Sequence, residues 1–185
     1  MQSGHGPVRP LQISRTPDSV APAELSFEQV FRAEAPQVGR TLRYLGVREA
    51  EVEDACQEVF VVVHRRLAQF EGGSLRAWVR QICVHVASNY RRSKRRHPED
   101  AVAEPPEVAA PAEQQEAVER QQQRRQLLAL LDQLPAEQRE VFVLFEIEQM
   151  TMPNTATTVG CPLQTAYSRL YAARDRMQSL LQGTS

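Results

Sequence analysis

The 185-residue chain has only three cysteines, Cys56, Cys83 and Cys161, odd in number, far apart and without a CxxC pair. A disulfide framework is thereby excluded, and no zinc-ligand spacing is present. No uninterrupted apolar run exceeds five residues, Val59 to Val63 being one such run, and the opening MQSGHGPVRP has no apolar core of a secretory signal. A membrane span or export is therefore not expected, and a reducing cytoplasm is the expected setting, with no metal and no cofactor. Glycine is scarce at eight residues, and the 12 prolines fall mostly outside the apolar segments. Within those segments Ala, Leu, Gln, Glu and Arg dominate, the vocabulary of helices, so the expected fold class is all-α. Net charge is also lacking, at -1 from 22 basic and 23 acidic residues. That balance hides a separation: Arg91 to Arg96 reads RRSKRR, five cations in six residues, whereas His97 to Glu119 carries seven carboxylates and no Lys or Arg. A near-neutral total thus says nothing against nucleic acid as a partner.

Composition divides the chain into two small helical domains. Residues 1–24 hold four prolines and no apolar periodicity, which predicts a disordered tail. Residues 97–117, with Pro98, Pro105, Pro106 and Pro111 among Ala and Glu, predict a flexible acidic linker. Between them, residues 25–96 show helical spacing in three groups: Phe27, Val30 and Phe31; Val38, Leu42 and Leu45; and Val52, Cys56, Val59, Phe60, Val63 and Leu67. Three helices are expected from those groups. A break at Glu71-Gly72-Gly73-Ser74 follows, with Ser74 placed to cap a further helix that turns Leu75, Trp78, Val79, Ile82 and Val86 inward. Its end carries the cationic run.

The second lobe, residues 118–182, opens with Leu127, Leu128, Leu130, Leu131 and Leu134, stops at Pro135 and restarts with Val141, Phe142, Leu144, Phe145 and Ile147. Thr151 is placed to cap a short helix with Pro153 in its first turn, and Gly160 ends it. A last amphipathic helix from Leu163 toward Leu181 turns Ala166, Leu170, Ala173 and Met177 inward and Gln164, Tyr167, Ser168 and Tyr171 outward. A short helix, a glycine turn and a polar-faced helix make a helix-turn-helix pattern.

The segment VEDACQEVFVVVHRRLAQFEGGSLRAWVRQICVHVASNYRRSKRR resembles the promoter-melting region two of bacterial RNA polymerase sigma factors, and LLALLDQLPAEQREVFVLFEIEQMT with VGCPLQTAYSRLYAARDRM resembles their region four. The order of the two, the acidic linker and the absence of a middle domain are similar to the extracytoplasmic-function group of the sigma-70 family. The resemblance implies a non-enzymatic subunit that binds core RNA polymerase and directs transcription initiation. It assigns Asp54, Gln57 and Glu58 to docking on the clamp helices of the largest polymerase subunit. It assigns Ser74 and Arg76, on the loop, and His85 and Asn89, on the helix after it, to the minus-ten element, where a base is held unstacked. Arg91, Arg92, Lys94, Arg95 and Arg96 would neutralise phosphates there. For the minus-thirty-five element it implies Gln164, Thr165, Tyr167, Ser168 and Tyr171 as readers in the major groove, with Arg169 and Arg174 for phosphates. An anti-sigma factor is an implied partner beside promoter DNA.

Three positions depart from the family's pattern. His85 stands where Asn is usual, Asn154-Thr155-Ala156 stands in place of Glu-Ile-Ala, and Ala172 replaces a frequent Arg in the recognition helix. Fewer cations on the reading face imply weak binding by this lobe alone, compensated when polymerase tethers both lobes. The competing reading is an autonomous helix-turn-helix transcription regulator, which would need a dimerisation or effector domain and would have no use for DACQEVF and its basic successor. An enzyme has less support still: Cys83 and His85 are the one local pair with reactive chemistry, and on a helix they diverge by about two hundred degrees.

Overall fold

The computed structural model describes residues 19–20, 26–96 and 114–182. Helix α1 spans Phe27–Tyr44 and begins at a reciprocal cap, in which the Ser26 hydroxyl accepts from the Gln29 backbone N–H at 3.2 Å and the Gln29 side chain accepts from the Ser26 N–H at 2.9 Å. It runs unbroken through Pro36, so the first two apolar groups of the sequence share one helix where two were expected. The physical reason lies at Glu34. This residue sits midway along the stripe from Val30 to Val38 and interrupts it with a charge, yet its side chain is mostly buried because an arginine from another helix reaches it. Proline at 36 forgoes one backbone donor, a loss the packed face overrides.

Helix α2 (Val52–Arg66) buries Val52, Ala55, Val59, Phe60 and Val63 against α1 and α3 (Leu75–Arg96). Ser74 caps α3 as its position implied, its hydroxyl accepting from the Ala77 N–H at 3.2 Å. A two-residue strand β1 (Ser19–Val20) pairs antiparallel with β2 (Gly73–Ser74) beside that cap, so two residues of the expected disordered tail have defined partners. The rest of residues 1–24 lies outside the described residues.

Helix α4 (Gln114–Asp132) takes in the last four residues of the linker expected to end at 117. The remainder of that linker, residues 97–113, lies outside the described residues. Helix α5 (Ala136–Phe142) continues into a wider π-helical turn over Val143–Ile147, and Thr151 then caps α6 (Met152–Val159), its hydroxyl 3.4 Å from the Asn154 N–H. Gly160, at φ 70°, adopts the left-handed conformation that lets the chain turn into α7 (Leu163–Gln182). Val141, Met152, Ala156, Ala166 and Leu170 form the small core of this helix-turn-helix.

The lobes are not separate bodies. Leu131, Leu134, Val143, Leu144, Met150, Ala173 and Met177 of the second lobe join the same buried cluster as Val38, Leu42, Val79 and Val86 of the first. Helix α6 packs on α3, and α4 meets α1. Among the described residues no helix is long and apolar enough to cross a membrane.

Candidate nucleic-acid interface

On α2, the inward stripe leaves the opposite side for polar groups, and Asp54, Gln57 and Glu58 are all exposed there. Beside them runs an apolar groove of about 660 Å³ lined by Phe27, Phe31, Phe60, Val61 and His64 as well as Gln57. Phe31 and Val61 are 44% and 46% exposed, so this side of the helix offers apolar area as well as charge. Sequence reasoning missed the groove because Phe27 and Phe31 fit a core stripe; the edge-on contact of Phe31 with buried Phe60 at 4.6 Å still leaves Phe31 exposed.

His85 and Asn89 lie one turn apart on the solvent side of α3, with Cys83, Val86 and Ala87 buried behind them. Burial also pushes the Cys83 thiol up to about 12, so it is a core group without nucleophilic character. Trp78 is half-buried against Phe70, with ring centroids 5.3 Å apart. Of the cationic run, Arg92 is exposed, whereas Lys94, Arg95 and Arg96 are described only through the backbone of α3.

Two cations assigned to phosphates or to the loop are engaged elsewhere. Arg76 is not on the loop but in the first turn of α3, and it donates to the Glu148 carbonyl at 2.7 Å and to its carboxylate at 3.3 Å. Arg91 donates to the Leu45 carbonyl and to the Glu140 carboxylate. Both acids belong to the second lobe, more than forty positions away, where local pattern carries no trace of them.

The centre of that lobe contact is a buried charge cluster. Glu148 has no exposed surface and accepts from Thr41 at 2.6 Å and from Arg80 at 2.8 Å, while Arg80 also donates to Glu34 at 2.8 Å. Burial works to raise the Glu148 pKa, but the Arg80 charge and the hydrogen bonds from Thr41, Arg80 and Arg76 outweigh it and hold the carboxyl below its ordinary range. A second buried cation, Arg139, crosses from α5 to the end of α1, donating to the Tyr44 carbonyl, to the Arg43 carbonyl at 3.2 Å and to Asp132 at 2.6 Å. Burial depresses its pKa, with Asp132 opposing. Gly46, at φ 98°, lets the two arginines close in, since a Cβ there would stand 3.0 Å from Arg139 Nη1 and 3.3 Å from Arg91 Cδ. The signal that pointed to this cluster was in the sequence: Arg76, Arg80, Cys83 and Ala87 recur at helical spacing, placing two guanidiniums on an inward stripe.

On α7, Gln164, Tyr167, Ser168 and Tyr171 are exposed and Thr165 is half-buried. The Ser168 hydroxyl donates to the Gln164 carbonyl at 3.0 Å, and the Tyr167 and Tyr171 rings stack with centroids 6.5 Å apart. Arg169 pairs with Glu137 at 2.5 Å, and Arg174 pairs with Glu146 at 2.6 Å while lying 5.8 Å over the Phe145 ring. The face is thus polar and aromatic, with its two arginines set at the rim by acids of the same lobe.

Residues 30–97 match the family model described as Sigma-70 region 2, and residues 124–177 match that described as Sigma-70, region 4. The RNA polymerase sigma-H factor of Pseudomonas aeruginosa is 30% identical over 142 residues, which cover 71% of this chain and 74% of that protein. The ECF RNA polymerase sigma factor SigE of Mycolicibacterium smegmatis is 28% identical over 158 residues, 84% of this chain but 62% of that longer protein. Among solved structures, the sigma factor RpoE in complex with the anti-sigma factor NepR from Bartonella quintana superposes with a TM-score of 0.65 at 26% identity, covering 84% of this chain and 96% of that one. CnrH in complex with the cytosolic domain of CnrY has the same fold, with a TM-score of 0.66 at 22% identity and coverage of 86% and 89%.

Proposed function

Because the chain belongs to the sigma-70 family of RNA polymerase sigma factors, and within it to the extracytoplasmic-function group, we propose that it binds core RNA polymerase and directs initiation at a defined set of promoters. The observation that supports this reading is the presence, in one chain, of two unlike exposed polar faces, one with His85 and Asn89 on α3 and the other the polar and aromatic face of α7. A helix-turn-helix regulator would use the second surface and have no need of the first.

In this reading Asp54, Gln57 and Glu58 dock on the polymerase clamp, where a rim of carboxylates would set orientation and encounter rate. Ser74, His85 and Asn89 face the opened minus-ten strand, and Arg92, Lys94, Arg95 and Arg96 meet its phosphates. Gln164, Thr165, Tyr167, Ser168 and Tyr171 enter the major groove at the minus-thirty-five element, with Arg169 and Arg174 at its edges. The subunit supplies recognition and no reaction of its own, works in the cytoplasm where polymerase is, and needs no cofactor. An anti-sigma protein as partner is supported by the bound state of RpoE, which resembles this chain over most of its length.

The test is reconstitution with core polymerase and sequencing of the newly initiated transcripts. A shared sequence upstream of the new start sites is expected. Transcription indistinguishable from that of core polymerase alone would refute the reading.

A further inference from the structure

The loop between α2 and α3 forms part of an open cavity of about 320 Å³, lined by Glu71, Gly72, Ser74, Trp78 and Gln81. The loop is anchored at both ends. Buried Phe70 packs on Trp78, and the Ser74 hydroxyl accepts from the Ala77 N–H at 3.2 Å. Between these anchors stand Gly72 and Gly73, both at φ 97°. A Cβ on Gly73 would meet nothing within 4 Å, so the backbone conformation, and not crowding, calls for glycine there. Two adjacent glycines give an unfastened loop many conformations of similar energy, and a cavity wall made of them would have no fixed shape.

The fastening is supplied by β1. It pairs antiparallel with β2, Ser19 opposite Ser74 and Val20 opposite Gly73. The sequence suits a short strand and no more: Val20 is β-branched, and Pro17 and Pro22 on either side favour extended chain yet cannot donate to a longer ladder. So short a ladder is weak by itself, but it acts on the segment whose shape sets the cavity.

We propose that the backbone of Ser19 and Val20 is a positioning strand for the Gly72-Gly73-Ser74 loop, and that it sharpens the choice of the minus-ten base by fixing the cavity wall beside Ser74. The selectivity rests on the promoter reading above; the positioning rests on the ladder alone. Because the ladder is made of main-chain groups, the side chains at 19 and 20 are exchangeable and the N–H groups are not.

Two double variants of the full chain test both parts. Ser19→Pro with Val20→Pro removes whichever of the two N–H groups points at the loop, whereas Ser19→Ala with Val20→Ala keeps both. Hydrogen exchange at the loop amides reads the ladder. Initiation by reconstituted polymerase, on promoters carrying each of the four bases at each minus-ten position, reads selectivity. The proline pair should speed loop exchange and lower the preference for the best base over the next by about fivefold, the worth of roughly one net hydrogen bond. The alanine pair should follow the parent in both readings. Unchanged exchange in the proline pair overturns the positioning strand, and so does an alanine pair that behaves like the proline pair. Faster exchange with an unchanged base preference, or with an equal loss of rate at every base, overturns the selectivity. If the parent itself initiates at no promoter, the promoter reading fails and the selectivity with it, while exchange still decides the positioning.

Discussion

Four arginines of this chain form two pairs that residue type alone would not distinguish. Arg169 and Arg174 on α7 pair with Glu137 and Glu146 at the surface, in water, where such pairs are worth about 0–1 kcal/mol. Arg80 and Arg139 are buried and reach across the lobe boundary to Glu148 and to the Tyr44 carbonyl, where loss of a partner strands a charge away from solvent. The exposed group can exchange its acids for phosphates at little cost. The buried group cannot do so until the lobes separate. The recognition helix is therefore ready for DNA as it stands, and the basic helix α3 is only partly so.

Four variants would break or sharpen that contrast. The largest effect is expected at Arg80→Met, which leaves Glu148 and Glu34 without their shared cation and should cost about 3–5 kcal/mol. Two urea transitions in place of one would mark the lobes unfolding separately; an unchanged single transition would show that the buried cluster does no more than the exposed pairs. Next comes charge reversal on α2. Asp54→Lys with Glu58→Lys should weaken core-polymerase binding at least about tenfold, or roughly 1.4 kcal/mol, because both carboxylates are exposed and packing stays intact. Equal affinities in a titration would remove that face from the interface. Asn89→Ala should lower initiation by about 1–3 kcal/mol at promoters with the preferred minus-ten base and hardly at all at promoters already mismatched there. A loss that is uniform over all four bases would make Asn89 a support for the fold. The smallest change, at most about 1 kcal/mol and stabilising, is expected for Thr155→Val, which removes a buried hydroxyl that has no partner. A lower melting temperature would mean that the hydroxyl is satisfied after all.

The pH dependence follows from the same contrast. The Glu148 pKa is lowered in the fold, so its contribution is complete above the ordinary carboxylate range and is lost as pH falls through its folded value. Glu140 runs the other way: burial raises its pKa against the pull of Arg91, so its ionised form costs stability and protonation relieves that cost. Arg80, Arg76 and Glu34 face Glu148, and Arg91, Arg169 and Glu137 surround Glu140. As pH falls the Glu148 contribution should be lost, so Glu148→Gln should lose less stability on acidification than the parent in urea unfolding. Identical profiles would exclude Glu148 as the titrating group.

Local signals in the sequence were strong where one element suffices to decide. The all-α class, the Ser74 and Thr151 caps and the Gly160 turn each depend on neighbours within a few positions. Reading two helices where α1 runs through Pro36 failed because Glu34 interrupts the stripe, and its partner Arg80 is 46 positions away. Arg76 and Arg91, which the resemblance assigns to DNA, pair here with Glu148 and Glu140, acids 72 and 49 positions off that no local pattern could reveal. Charge runs reveal what a segment attracts, while burial and distance decide what it holds in the closed chain.

Binding of a labelled promoter duplex, followed by mobility shift with the chain alone, with core polymerase alone and with both, tests the central claim most directly. A sequence-specific complex that forms only when both are present is predicted, since polymerase would hold both lobes on the promoter at once and neither lobe binds tightly by itself. Tight, sequence-specific binding by the chain alone would contradict the dependence on polymerase.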